Sequence, residues 1–73
     1  MNELIPNATE LTKEEKLAII QPMVAGPFQI LSDGRIDCTL LHPVYGPVPF
    51  TADANDYEEH GRLIHEIAAI LAV

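Results

Sequence analysis

The histidine, cysteine and carboxylate side chains are the groups of this sequence that could perform acid–base, nucleophilic or metal chemistry. Glu59 precedes His60, and Glu66 follows His65. A zinc-protease helix needs two histidines four positions apart, but His65-Glu66 is followed by Ile67 and no second histidine. His60 and His65 are five positions apart, which on a helix turns the second side chain about 140° from the first. These residues therefore predict no metal site.

Cys38 and His42 form the other pair that could be reactive, since four positions along a strand and its exit place both on one face. A cysteine nucleophile needs a base and a third group that orients the base, and no Asn or Asp is evidently placed for that role. No phosphate-binding loop or nucleophile elbow is present. We expect Cys38 to be a small apolar core residue beside Phe28 and Leu40, and we expect no catalytic residue, cofactor or metal.

A chain of this size can bury only a small apolar core to stabilise its fold. A domain of 73 residues buries only about 60% of the surface that its unfolded chain exposes. Such domains usually need a disulfide, a structural metal or association with other chains. Cys38 is the only cysteine, so an intrachain disulfide is excluded. With 48% hydrophobic and only 5% aromatic residues, the chain is aliphatic enough for a core and a partner surface, so we expect a homo-oligomer.

The net charge of −7 disfavours some functional classes and leaves others open. Nucleic-acid binding relies on Lys and Arg contacts to phosphate, and the chain has only four such residues: Lys13, Lys16, Arg35 and Arg62. The acidic surface could serve solubility, a basic partner or mimicry of a phosphate backbone. No apolar run approaches the roughly 20 residues that span a bilayer. We therefore expect neither nucleic acid nor a membrane as partner.

The N-terminal part predicts an arm and a short helix. Residues 1–11 have no capping signal, and we interpret them as an arm. Thr12 and Glu15 have the spacing of a capping box, which predicts a helix over 12–21. Pro22 ends it, because proline lacks an N–H and disfavours helical geometry in the residue before it.

The middle of the chain predicts a hairpin with strands at about 27–31 and 35–41. A three-residue loop, Ser32 to Gly34, with Gly34 in the left-handed conformation would pair Ile30 with Ile36 and Phe28 with Cys38. This register keeps the apolar side chains on one face, whereas a two-residue loop would mix the faces.

A third strand is predicted at about 47–51. Pro47 and Pro49 are two positions apart, so their missing N–H groups fall on the same side of an extended strand. Such a strand can pair on one side only and must lie at an edge of the sheet, with Val48 and Phe50 facing the core.

The last element is predicted to be a helix over 54–72 with Asp53 as its N-cap. One face of this helix collects the side chains expected to cover the sheet, and Gly61 within that face suggests a close approach of another element, such as Phe50 or Tyr45. The members of the face are Tyr57, His60, Gly61, Ile64, Ile67, Ala68 and Leu71. The predicted fold is α+β: a three-stranded antiparallel sheet packed by a C-terminal helix, in one domain spanning 12–73.

Leu63 and Ile70 lie off that face and are candidate interface residues. Leu17 and Ile20 of the first helix and Tyr45 of the turn are further candidates. The alternative is that the first helix covers Leu63 and Ile70 within the chain.

The segment from Ile36 to Ile67, "IDCTLLHPVYGPVPFTADANDYEEHGRLIHEI", resembles small proteins and C-terminal modules encoded among the tail genes of tailed bacteriophages and prophages. These share an "HP-x-[YF]-G-x-[IV]-PF-T-A" phrase followed by E-E-x-G-R and an aliphatic helix. The matching residues are His42, Pro43, Tyr45, Gly46, Val48, Pro49, Phe50, Thr51, Ala52, Glu58, Glu59, Gly61 and Arg62. This chain has Pro47 and Asp53-Ala54 where many relatives have a bulky residue and a Ser-Pro pair.

The resemblance implies a non-enzymatic, tail-associated structural protein near tail fibres or the baseplate, made in the host cytoplasm and located in the virion. Its partners would be other tail proteins, and analogy with tail fibres suggests a trimer. A tail-assembly chaperone that leaves the particle, and an acidic inhibitor of a host nucleic-acid-binding protein, are the alternatives.

Overall fold

The computed structural model of this chain describes residues 10–73. The elements are helix α1 (Lys13–Ile20), a 3-10 turn (Gln21–Met23), strands β1 (Val24–Ile30), β2 (Ile36–His42) and β3 (Gly46–Ala52), and helix α2 (Glu59–Leu71). The strands form one antiparallel sheet in the order β1-β2-β3. The predicted α+β fold is confirmed. Most of the predicted arm lies outside the described residues, although Leu11, at its end, packs against the core.

Helix α1 begins at the predicted capping box. The Thr12 backbone N–H donates to the Glu15 carboxylate at 2.8 Å, and the Glu15 N–H donates to the Thr12 hydroxyl at 3.2 Å. The helix ends at Ile20 because the chain turns at Pro22 in the 3-10 segment. An eight-residue helix is marginal in water, so burial of Ile20 in the core is needed to hold α1 in place.

The β1–β2 hairpin has the predicted three-residue loop. Ile30 pairs with Ile36, and Gly34 has a φ of 92°. The Asp33 carboxylate accepts hydrogen bonds from the Arg35 backbone N–H at 3.1 Å and from Arg35 Nε at 2.7 Å. The backbone hydrogen bond, followed by the side-chain one, lowers the pKa of Asp33 below its usual value.

The other predicted pair, Phe28 with Cys38, is absent from the register. Strand β1 begins at Val24, earlier than expected, and its pairing with β2 shifts between Ala25 and Gln29. Pro27 lies inside this shift and cannot donate to a ladder, so the strand is irregular where proline interrupts it. Phe28 still packs against the core from its displaced position.

Strand β3 is an edge strand, as the proline spacing predicted. Its residues pair only with β2, with Pro49 opposite Thr39 and Pro47 opposite Leu41. Phe50 and Val48 lie opposite the core residues Cys38 and Leu40. Both edge strands therefore contain proline, which hinders the addition of a further strand.

The start of α2 was predicted wrongly. The helix begins at Glu59 rather than at residue 54, and its N-cap, Glu58, makes no side-chain capping bond. Asp53 instead closes a turn, since its carboxylate accepts from the Asn55 N–H at 2.9 Å. A second such turn follows, with the Asp56 carboxylate accepting from the Glu58 N–H at 2.8 Å. These local side-chain bonds compete with helical ones and delay the helix by a turn.

The core lies between the sheet and the helices. Its buried side chains are aliphatic apart from one thiol: Ile20, Val24, Ile36, Cys38, Leu40, Ala52, Leu63, Ile64, Ile67 and Ala68. Tyr57 is 86% exposed because it precedes the helix, and Leu71 is also exposed. Both were wrongly placed on the buried face, whereas Gly61, Ile64, Ile67 and Ala68 were placed correctly.

Candidate protein-binding surface

The residues considered for chemistry lie in separate parts of the fold. Cys38 is buried in the sheet, and burial, with the nearby Asp37 charge as a smaller cause, raises the pKa of its thiol. His65 Nε2 lies 2.9 Å from the Gly34 carbonyl oxygen and so ties α2 to the hairpin loop. Residues 10–73 contain no group of three or more His, Cys, Asp or Glu side chains that could hold a metal ion.

His60 differs from these residues because one of its ring nitrogens has no partner among the described residues. Its Nδ1 is buried without a hydrogen-bond partner and lies 3.9 Å from the Glu58 carboxylate. That distance is too long for a hydrogen bond. Nδ1 of His60 therefore makes no hydrogen bond within residues 10–73.

His42 organises the β2–β3 turn. Its Nδ1 accepts hydrogen bonds from the backbone N–H groups of Val44 at 3.0 Å and Tyr45 at 3.2 Å. The imidazole also stacks on the Tyr45 ring, with centroids 4.7 Å apart and planes inclined by 33°. The sequence also predicts a turn at His42-Pro43 and Tyr45-Gly46, and the structure has that turn between β2 and β3. The acceptor role of the His42 imidazole was not predicted, although a histidine immediately before a proline and three positions before Tyr45 is placed to accept from the N–H groups of the turn.

Replacing His42 by alanine should lower the free energy of unfolding by about 1 kcal/mol, because two turn N–H groups lose their acceptor. His42→Asn should retain most of the stability, since the asparagine side-chain oxygen can accept the same bonds. Urea unfolding followed by circular dichroism measures both variants. Equal losses for alanine and asparagine would show that Nδ1 does not hold the turn.

One largely apolar open surface of residues 10–73 is a groove between the two helices, hereafter the helix groove. Its volume is about 320 Å³. The covered part of the groove is formed by Ile67 and Leu17. Its open part is formed by Ile70, whose side chain is 72% exposed, and Leu71, which is 42% exposed. The remaining residues at the groove are Glu14, Ala18, Gln21 and Glu66.

Two ion pairs join α1 to α2 beside this groove. Lys16 Nζ lies 2.9 Å from the Glu59 carboxylate, and Lys13 Nζ lies 3.1 Å from that of Glu66. Leu63 is one turn from each glutamate and is therefore between the two pairs. It is only 4% exposed, so α1 packs over this flank of α2.

This burial corrects the predicted interface. Leu63 and Ile20 belong to the chain's own core, which makes their assignment to a partner surface wrong. For Leu63 the alternative, cover by the first helix, is what the structure has. Ile70 and Tyr45 are exposed, and Leu17 is half-buried in the helix groove, so these three stay candidates.

The sheet face opposite the helices is a second open surface, and it is more polar. A shallow depression there is bordered by Pro27, Gln29, Asp37, Thr39, Pro47 and Pro49. The Thr51 hydroxyl donates to the Asp37 carboxylate at 2.7 Å beside it. Prolines and polar side chains make up a larger share of this face than of the helix groove.

Comparison with protein-family models, with curated proteins and with solved structures gives no match. Within residues 10–73, neither helix is long and apolar enough to cross a membrane.

Proposed function

We propose that this chain is a non-enzymatic structural protein of a bacteriophage tail, an adaptor that acts through protein–protein contacts. The supporting observation is the helix groove, where Ile70 and Leu71 stay exposed although the core beneath them is complete. A partner that covers these side chains would add apolar burial to a domain too small to bury much on its own.

The tail assignment rests on the resemblance of the segment from Ile36 to Ile67. In the fold this segment forms β2, the His42 turn, the proline edge strand and most of α2. It therefore corresponds to the scaffold and to only part of the α2 wall of the helix groove, namely Glu66 and Ile67. Ile70 and Leu71 lie beyond its end. The other wall, α1, lies outside the segment, so the partner contact cannot be carried over from the family.

A different tail protein fits the groove better than a second copy of this chain. Glu14 and Glu66 border the groove, and each chain has a net charge of −7. Contact between two such grooves would bring like charges together, which disfavours association. The predicted homo-oligomer is therefore the weaker form of the proposal, and the trimer has no support beyond analogy.

Mass spectrometry of purified phage particles tests the assignment. We expect abundant peptides from this chain and, for an Ile70→Asn/Leu71→Asn variant, a clear loss of incorporation. Ile30→Asn is the matched control, since Ile30 is an exposed aliphatic residue at the hairpin end of the sheet. Complete absence of the wild-type chain from particles would overturn the structural role and favour a chaperone or an inhibitor.

A further inference from the structure

We infer that the helix groove binds a basic amphipathic helix of a partner protein. This inference rests on the proposed adaptor function and specifies the chemistry of its partner. Shape and charge support it independently.

The shape of the groove suits one short helix. Helix α1 has eight residues and is therefore about 12 Å long, which matches roughly two turns of a third helix laid beside it. Ile70 and Leu71 stand open at the α2 side, and Leu17 lies at the α1 side. A helix with apolar residues at positions i, i+3 or i+4, and i+7 would place them along such a trough.

The net charge of the chain favours a basic partner, because each of its four Lys and Arg side chains already forms an ion pair or a hydrogen bond within the chain. Lys13 and Lys16 pair with α2, Arg35 pairs with Asp33, and Arg62 Nη1 donates to the Asp56 carbonyl oxygen at 2.6 Å. Three of the four Lys and Arg side chains are thus paired with carboxylates, and among residues 10–73 no Lys or Arg lines the helix groove to receive an acidic partner.

The carboxylates are in excess, with ten of the chain's eleven lying in residues 10–73. Glu14 borders the groove and has no ion pair or hydrogen bond within the described part of the chain. Lysine or arginine on the partner's polar face would meet Glu14 locally and the net negative field at longer range.

The two other routes to association are opposed by the same observations. A second copy would bring an identical set of carboxylates to the groove. Strand addition would meet Pro47 and Pro49 on β3 and the irregular region around Pro27 on β1. A basic helix meets neither obstacle.

The test uses fluorescence anisotropy with labelled, end-capped peptides of about 14 residues, since shorter helices are marginal in water. The first peptide has leucines on one face and lysines on the other. The second replaces the lysines by glutamates, and the third scrambles the first so that its leucines no longer share a face. We expect micromolar binding of the first peptide and at least about tenfold weaker binding of the other two. Added salt should weaken binding of the first.

Protein variants locate the site. Ile70→Asn should weaken binding of the lysine peptide by about tenfold, while Ile30→Asn should leave it unchanged. Glu14→Gln should weaken binding by roughly threefold. Gln29→Lys changes the net charge equally on the distant sheet face and should have a smaller effect.

Equal affinity for the lysine and glutamate peptides, or no binding at about 1 mM, would overturn the inference. So would a dimer of the chain itself that Ile70→Asn dissociates. These outcomes are separable from failure of the proposed function. Groove-dependent incorporation into particles without peptide binding refutes only the basic helix, and peptide binding by a chain absent from particles refutes only the tail role.

Discussion

Leu63→Ala is expected to lower the free energy of unfolding by about 2–4 kcal/mol, whereas Ile70→Ala should change it by less than about 0.5 kcal/mol. Both residues lie on α2, seven positions apart, and both are aliphatic. Leu63 is 4% exposed, so its truncation leaves a cavity beneath α1, while Ile70 is 72% exposed and leaves none. A core of this size supplies only about 3–5 kcal/mol, so Leu63→Ala should unfold a large fraction of the protein.

Urea unfolding and sedimentation velocity on the two variants test this contrast. Ile70→Ala serves as the control for loss of helix-face aliphatic area, since alanine suits the helix equally at both positions. Similar losses of stability would mean that α1 does not cover Leu63. A stable Leu63→Ala protein that has lost an oligomer present in the wild type would instead restore Leu63 as an interface residue.

The different environments of Leu63 and Ile70 show where sequence reasoning stops. Their spacing correctly places them on one flank of α2, because positions seven apart are nearly in line on a helix. Which part of that flank is covered depends on where α1 docks. The docking is fixed by burial of Ile20 and by the Lys13 and Lys16 ion pairs across the chain, and no local pattern encodes those contacts.

Features with a short-range cause were predictable. The capping box at Thr12, the left-handed Gly34 and the edge strand at Pro47 and Pro49 each follow from backbone chemistry within a few residues. The start of α2 had a short-range cause too, but two signals competed. Asp53 was predicted as a helix cap, and the same carboxylate can close a turn two residues on. Choosing between these uses requires the position of Asp56 against Gly61, a contact between residues five positions apart that neither capping signal encodes.

Gly61→Ala should destabilise the protein by about 1–3 kcal/mol, although the same change inside an ordinary exposed helix stabilises it by about 1 kcal/mol. Gly61 is buried within α2, and a Cβ built on it would fall on the Asp56 carboxylate, closer than any real Cβ contact allows. The sequence predicted a close approach at Gly61 but suggested Phe50 or Tyr45 as the neighbour. Asp56 occupies that place instead.

Asp56 cannot move aside at low cost, because its carboxylate accepts from the Glu58 N–H and its carbonyl oxygen accepts from Arg62. A double-mutant cycle with Asp56→Gly isolates the clash, since that change also removes the Asp56 Cβ, which would lie 3.0 Å from the added methyl group. In the Asp56→Gly background, Gly61→Ala should become neutral or stabilising, by up to about 1 kcal/mol. Additive losses in thermal and urea unfolding would contradict the contact. A reversal of sign would show that Gly61 is required so that the turn carrying Asp56 can close onto the first turn of α2, which fixes where the helix starts.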